Sequence, residues 1–420
     1  MIELRLGIAG LGTVAQGVLH ILHTRADQIA RRSGLDLVVT RVASRTPKPD
    51  VDIADAEFST ELDSLLAPDV DVVVELIGGE SPAKELIEKA LLQGKSVVTA
   101  NKAVIARYGN QLTASNEKQT LKYEASVAGA VPIVQAISEA LVGNQIDQLV
   151  GIINGTCNYI LTAMQDDGTE FASALATAQE LGYAEADPSF DIDGIDAAHK
   201  LTILAGLAFD TTFEFDRVYV EGITHITVQD ITYAAELGYR IKHVGIAKQS
   251  SKGIEARVHP VLVPEKTLFA NVSGVTNAVL VNSDAAGQTL YSGPGAGGAA
   301  TASAVVADIV AAGLGASAGS RDVAPAEFVD IGDIECANYV RLPVKDEPGV
   351  FAVIAKALSD RGISIEAAIQ KEPDGQSAEV SIVILTGTCD DSNMTDAIEH
   401  IAGESYMCGS VVRIRVENLD

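Results

Sequence analysis

The chain predicts an α/β protein with three parts: a doubly wound parallel sheet, a second mixed α+β domain and a C-terminal βαββαβ module. Three observations carry this. Apolar strand-like runs alternate with amphipathic helical patterns through the first 150 residues, which is the pattern of βαβ units and a parallel sheet. Further on, the runs shorten and alternate as antiparallel strands do. The last 85 residues read strand, helix, strand, strand, helix, strand, a ferredoxin-like order.

In order, the first strands are RLGIAG, LDLVVTRVAS, DVVVELIG, KSVVTA and LKYEASV. In the helix after the first strand, Val14, Val18, Ile21 and Leu22 fall on one face, set to pack on the sheet. From about Gly143 come LVGIING, several helices, and RIKHVGIAKQ, IEARVHPVLV and NAVLVNSD, which suit antiparallel strands. The stretch GASAGSRDVAPAEFVD is small, polar and Pro-containing, as linkers are. The C-terminal elements are NYVRLPV, a helix over Gly349 to Arg361, SIEAAIQKE, AEVSIVILTG, a helix over Thr395 to Ala402, and SVVRIRVE. The expected domains are therefore 1–135, completed by the helix around 299–315, then 136–315, a linker at 316–337, and 338–420.

Thirty basic residues against fifty-seven acidic ones give a net charge of −27. Such a surface repels nucleic acid and anionic membranes, and no local basic patch offsets it. The four cysteines, Cys157, Cys336, Cys389 and Cys408, lack the spacing of a zinc site or a disulfide framework. No signal peptide or membrane span is expected, and the composition suits a cytoplasmic protein.

Gly10, Gly12 and Ala15 form G-x-G-x-x-A between the first strand and its helix. This turn lets backbone approach a pyrophosphate at the positive helix end, so a Rossmann-type dinucleotide site is expected there, with Thr13 and Val14 in the same turn. The second strand ends in VASRTPK, where an acid would bind the ribose hydroxyl of NAD. Arg45 instead favours the 2′-phosphate of NADP, with NAD left open and a plain solvated loop charge as the alternative. TANKAVIA sets Lys102 just past the carboxyl end of a strand, where open α/β sheets bind ligands. In LGYAEADPSFDIDGIDAAHKL, Asp193 is expected to cap a helix on which Asp196 and Lys200 stand at i and i+4. That pair is either an exposed ion pair of little worth or, since LTILAGLAF follows, a buried charged turn lining a cavity.

The series GLGTVA, VVVELIGG, VVTANKA, YEASVAGAVPI, GIINGTCNYIL, LGYAEADP, DIDGIDAAHK and GPGAGGAATASAVVADI resembles the homoserine dehydrogenases, in that family's order, over nearly the whole first 315 residues. The resemblance implies reversible NAD(P)-dependent interconversion of L-aspartate 4-semialdehyde and L-homoserine, in the branch leading to threonine, methionine and isoleucine. By position it makes Lys102 the cleft lysine that contacts cofactor and substrate, and Lys200 the proton donor. Glu185 becomes the residue that binds the substrate amino group, with Gly182, Asp191 and Asp196 in the substrate pocket. Gly297 becomes a backbone contact to the cofactor. It also implies a monovalent-cation site, usually sodium, at Glu124, Val127, Gly129 and Val131; by itself that segment reads as a tight strand-to-helix turn. The family's nucleotide turn often ends in Gly where this chain has Ala15, a permitted variant. These residue types suit hydride transfer to an aldehyde, which forms an alkoxide needing a nearby cation and a proton. Cys157 has no adjacent base in the sequence and is read as structural.

The run VRLPVKDEPGVFAVIAKALSDRGISIE resembles an ACT domain, which implies an amino-acid effector, by resemblance threonine; a ligand-free dimerisation module is the alternative. A homodimer or homotetramer is expected. Two rival functions share parts of this pattern: another Rossmann-type semialdehyde reductase, and a non-catalytic amino-acid-sensing regulator. The joint presence of Lys102, Glu185 and Lys200 weighs against the second.

Overall fold

The computed structural model describes residues 1–114, 120–315, 323–371 and 379–419. These form two compact units, Met1–Ile153 with Asp196–Val218 and Thr276–Ala326, and Asn154–Ile195 with Tyr219–Val275 and Glu327–Asp420. The segment expected as one domain at 136–315 is thus shared between the units. Part of the expected linker, 316–322, lies outside the described residues.

In the first unit six parallel strands, β1 (Ile2–Ala9), β2 (Leu35–Ala43), β3 (Glu57–Ser59), β4 (Val72–Glu75), β5 (Ser96–Thr99) and β6 (Leu121–Lys122), lie in the order β3-β2-β1-β4-β5-β6. This is the Rossmann-type sheet. Strands buried on both faces read as continuous apolar runs, and here successive residues serve opposite cores. Val72, Val74 and Val98 join α1 (Thr13–Ser33) and the helix Gly298–Gly313. Val73 and Val97 join α2 (Ser81–Leu92) and α3 (Lys102–Ala114). A second, antiparallel group pairs Thr276–Ser283 with both Ile146–Ile152 and Gly287–Pro294.

The sequence pattern missed β3, which is only three residues long. It also overran the sixth strand: after Lys122 the chain leaves the sheet into a 3-10 turn, Glu124–Ser126. The reason is local. The backbone amide of Glu124 donates to Asp308 at 2.8 Å, and its carboxylate accepts from the amides of Val134 and Gln135 at 2.9 and 2.8 Å. Those bonds turn an apparently apolar strand end inward.

The second unit carries a mixed sheet in the order Tyr239–Ser250, Gly253–Pro264, Val412–Val416, Glu335–Lys345, Glu379–Thr386, Ile365–Gln370. The last four strands with helices Val350–Ser359 and Asp391–Ala402 make the βαββαβ module around its own core. The second helix starts four residues before the expected Thr395, because the buried Asp391 anchors Arg413 and Arg415. Among the described residues no helix is long and apolar enough to cross a membrane.

Candidate active site

At the carboxyl end of the parallel sheet, Gly10 has φ 98°, and a Cβ there would meet the Leu76 carbonyl at 2.8 Å. Only glycine fits that turn. A Cβ on Gly12 would meet nothing within 4 Å, and no side chain caps the start of α1 at Gly12. The turn is therefore bare backbone at a helix N-terminus, which is what a pyrophosphate requires. It opens on a cavity of about 560 Å³ lined by Gly10, Leu11, Gly12, Ser44, Arg45, Lys48 and the loop 76–79. This fits a dinucleotide. Thr13 and Val14 begin α1 behind it, and Gly297, at φ 114°, starts the helix Gly298–Gly313, whose first residue abuts Thr13. The helices cross where Gly17 faces the Gly298 carbonyl at 2.7 Å from a built Cβ. Arg45 and Lys48 are exposed on the cavity rim.

Lys102 opens α3 directly after β5, capped by Asn101, whose Oδ1 accepts the Val104 amide at 3.2 Å. Asp196 and Lys200 lie on the helix Ile195–Ala208, which begins after Gly194 and is buried from Asp196 through Leu207. Two glycines bring the two helices together. Gly109 on α3 and Gly206 on the other helix both face the ring of Phe213, at 2.6 and 2.3 Å from built Cβ atoms. Asn110 locks that ring's backbone in both directions, at 3.1 and 2.9 Å. The outcome is that Asp196 accepts from Lys102 Nζ at 2.6 Å through one oxygen and from Lys200 Nζ at 2.7 Å through the other. Lys200 also donates to the Ile153 carbonyl at 2.8 Å.

Burial works to raise the Asp196 carboxyl pKa, but the charges of Lys200 and Lys102 outweigh it and hold the group well below the ordinary carboxylate range. The cluster carries one excess positive charge. Asp196 is 3% exposed while the Lys102 side chain is 33% exposed, so the positive charge faces outward and the compensating one does not. His199, between Asp196 and Lys200 on the helix Ile195–Ala208, stacks on Phe215 with ring centroids 4.4 Å apart, and burial and the Arg107 charge lower it to about 4. It is a neutral neighbour.

Glu75 and Thr99 escaped the sequence reading. Glu75, fully buried at the end of β4, accepts from the Ile77 and Gly78 amides at 2.9 and 3.3 Å and from the Thr99 hydroxyl at 2.5 Å. Thr99 in turn accepts the Asn101 amide at 3.0 Å, and Asn101 donates to the Gly79 carbonyl at 2.6 Å. This network ties the cavity-lining loop to the turn that presents Lys102. Burial raises the Glu75 pKa. The signal was an acid closing the apolar run VVVE.

The expected cation segment is a buried turn. Ala128 and Gly129 both have positive φ, 54° and 57°, and Gly129 packs on the backbone of Gly295. The carbonyl of Val131 accepts the Ile133 amide at 2.8 Å and that of Glu124 accepts Val127 at 3.3 Å. Beside it the buried carboxyls of Glu124 and Asp308 are raised by burial to about 7 and about 8. No cluster of three or more His, Cys, Asp or Glu able to hold a metal occurs among the described residues.

The remaining predicted residues belong to the second unit. Gly182, at φ 75°, and Glu185 are exposed on the turn after helix Phe171–Glu180. Asp191 accepts from Asn154 Nδ2 at 2.7 Å and from the Thr156 hydroxyl at 3.0 Å, so its carboxylate fastens the start of helix Gly155–Asp167. Cys157 is fully buried there, its thiol donating to the Asp191 carbonyl at 3.2 Å.

Comparison with known proteins completes the picture. Residues 10–125 match the homoserine dehydrogenase NAD-binding domain, 132–310 the homoserine dehydrogenase domain, and 339–401 the ACT domain. The chain is 46% identical to the homoserine dehydrogenase of Pseudomonas aeruginosa, with all of both chains covered. The crystal structure of a homoserine dehydrogenase from Thiobacillus denitrificans superposes with a TM-score of 0.94 at 44% identity, covering 100% of this chain and 99% of that one. A hyperthermophilic archaeal homoserine dehydrogenase in complex with NADPH superposes with a TM-score of 0.64 at 25% identity, covering 76% of this chain and 100% of that one. The nucleotide turn, the shared carboxylate of the two lysines and the C-terminal module thus come together in one conclusion: this chain belongs to the homoserine dehydrogenase family, as an NAD(P)-dependent oxidoreductase with an ACT domain.

Proposed function

We propose that the chain reduces L-aspartate 4-semialdehyde to L-homoserine, reversibly and with NADP(H), in the branch that supplies threonine, methionine and isoleucine. The observation that carries this is the pair of lysines on one buried aspartate at the carboxyl end of the nucleotide-binding sheet. When bound, the nicotinamide cofactor supplies the hydride. Lys102, the more exposed of the two, meets the developing alkoxide with its charge. Lys200, held by Asp196 and the Ile153 carbonyl, gives the proton and is recharged from solvent. Asp196 orients both amines, and its low pKa keeps it ionised through the cycle. Glu185 binds the substrate ammonium by charge, with Gly182 and Asp191 shaping the pocket. Gly10, Gly12, Thr13, Val14 and Gly297 hold the dinucleotide.

Arg45 on the cavity rim supports NADP over NAD, as does NADPH in the archaeal relative. The buried turn through Ala128 and Gly129, with the Glu124 side chain enclosed beside it, supports a monovalent cation, probed as sodium, on the carbonyls of Val127, Gly129 and Val131 with Glu124. For the ACT domain, the cavity of about 450 Å³ lined by Asp346, Glu347, Pro348 and Gly349 is the site proposed for an amino-acid effector, threonine. The assembly is a homodimer or homotetramer in the cytoplasm.

The test is to follow NADPH and NADH oxidation with aspartate semialdehyde, with and without threonine. Faster turnover with NADPH and inhibition by threonine are expected. No oxidation of either cofactor overturns the reaction, and threonine inhibition that survives truncation near residue 335 overturns the effector site.

A further inference from the structure

Glu75 places an acid where the other residues of its strand are valines. It closes β4 and is fully buried. The strand order β3-β2-β1-β4-β5-β6 reverses between β1 and β4, and open α/β sheets bind ligands at the carboxyl ends of the strands where the order reverses. Glu75 stands at that end. On one side it pairs with Ala9, the residue before Gly10 of the nucleotide turn, and on the other with Thr99, three residues before Lys102. Burying a carboxyl there is unfavourable, as its raised pKa shows, so the core of the sheet by itself does not ask for one.

The acid closes a ring of hydrogen bonds. Its Oε1 accepts from the amides of Ile77 and Gly78 at 2.9 and 3.3 Å, in the loop that lines the nucleotide cavity. Its Oε2 accepts from the Thr99 hydroxyl at 2.5 Å, and the same hydroxyl oxygen accepts the Asn101 amide at 3.0 Å. The Asn101 side chain then returns to the loop, donating to the Gly79 carbonyl at 2.6 Å. Gly78 and Gly79 have φ 67° and 74°, and a Cβ on either would meet nothing within 4 Å, so hydrogen bonds and not packing shape the tip of this loop. Asn101 also accepts the Val104 amide at 3.2 Å, which sets how α3 begins at Lys102.

We infer that Glu75, acting through Thr99 and Asn101, is a positioning residue for the reaction: it holds Lys102 in register with the loop that lines the nucleotide cavity. A carboxylate suits the task because its two oxygens accept in different directions at once, one from the loop amides and one from the hydroxyl. The ring fixes the lysine and the cofactor loop to each other, and not only to the sheet. Misplacing a catalytic group by about 1 Å costs about a hundredfold in rate. The inference rests on the proposed reaction and cofactor site, and the experiment separates them.

Thr99→Val opens the ring but leaves the bonds from Glu75 to the loop in place, whereas Thr99→Ser keeps it closed. NADPH affinity is measured by fluorescence, turnover with aspartate semialdehyde is expressed per NADPH-binding site, and amide exchange is followed by mass spectrometry of peptides covering residues 75–79 and 100–105. In Thr99→Val turnover is expected to fall about thirty- to hundredfold while NADPH affinity stays within about threefold. Exchange quickens about tenfold in 100–105 and not in 75–79, by the worth of one hydrogen bond. Thr99→Ser returns turnover to within about threefold of the wild type. Glu75→Gln is the second variant: it keeps an acceptor for the loop but offers Thr99 a donor, and it is expected to lose turnover about tenfold with NADPH affinity again held. A hydroxyl with only a structural role would reduce stability and the number of binding sites, not the turnover of each site. Turnover per site that stays within about twofold in Thr99→Val or Glu75→Gln overturns the inference, as do an equal loss of turnover and NADPH affinity and a loss in Thr99→Ser as large as in Thr99→Val. Failure of the wild type to reduce the aldehyde overturns the proposed reaction, and failure to bind NADPH overturns the cofactor site. In either case unchanged exchange in 100–105 of Thr99→Val overturns the inference separately.

Discussion

Two places in this molecule hold one buried aspartate between two cations, and they do different things. In the first unit Asp196 receives Lys102 and Lys200 at 2.6 and 2.7 Å. In the second, Asp391 receives Arg413 and Arg415 at 2.5 and 2.7 Å, and Arg415 reaches on to Glu221 at 3.0 Å. Both aspartates are 3% exposed. The cations differ. A guanidinium is a fixed fork that keeps its proton, while an ammonium is a point charge that can release one. Exposure differs with them: the Lys102 side chain is 33% exposed and that of Arg415 only 5%. Arg415 also stacks on Tyr219, 5.1 Å from the ring centroid. One arrangement leaves a charge accessible, and the other uses its charges to join the strand Val412–Val416 to Tyr219 and Glu221.

The largest effect expected from breaking this contrast is at Lys200. Lys200→Ala should lower turnover by about 10²–10⁴-fold, the usual range for a lost general acid, while NADPH affinity measured by fluorescence stays within about twofold. Near-normal turnover would show that Lys200 is as structural as Arg415. Next, Asp391→Asn removes the acid shared by the half-buried Arg413 and the buried Arg415, leaving Arg415 only Glu221, and should cost about 3–5 kcal/mol in urea unfolding, with turnover per folded molecule unchanged. A fall in turnover without a fall in stability would reverse the distinction.

A third carboxyl site sharpens it, because at Glu124 and Asp308 burial is not outweighed, and at Asp308 it exceeds the nearby charge of Lys122. Burial pushes them up to about 7 and about 8, so the folded chain holds their protons more tightly than the unfolded chain. Their favourable contribution is complete below the unfolded carboxyl pKa of about 4 and is lost as pH rises toward 8. Asp196 has the opposite sign: its pKa is lowered, so its contribution is present above about pH 4 and is lost on acidification. Unfolding free energy should therefore decline by a few kcal/mol from about pH 5 to 8, and Asp308→Asn should flatten the decline. A slope the same in wild type and variant would remove Asp308 from this account. The smallest effect is at the exposed Arg45. Arg45→Asp should weaken NADPH about tenfold and leave NADH within about threefold, by the worth of one charge-assisted hydrogen bond at a surface; equal losses for both cofactors would remove its role in choosing between them.

What was legible followed from local rules. Gly10 and Gly12 between a strand and a helix announce a dinucleotide turn because no other residue allows that backbone approach. The run VVVE announces a central parallel strand because both its faces are buried. The i, i+4 spacing of Asp196 and Lys200 put them on one face, and the apolar run after them suggested burial, which the helix Ile195–Ala208 shows. The exit of the chain from the sheet at Glu124 was not legible, since it depends on Asp308, 184 residues away.

By itself, then, the sequence determined the order of elements, the nucleotide turn and the residue types able to carry charge and protons, because these depend on spacings of a few residues. Tertiary structure alone decided that Lys102 and Lys200 share one carboxylate. They lie on different helices, brought together where Gly109 and Gly206 close on Phe213. Tertiary structure also decided which charges stay accessible and which are enclosed, since exposure and partner geometry arise only when distant segments meet.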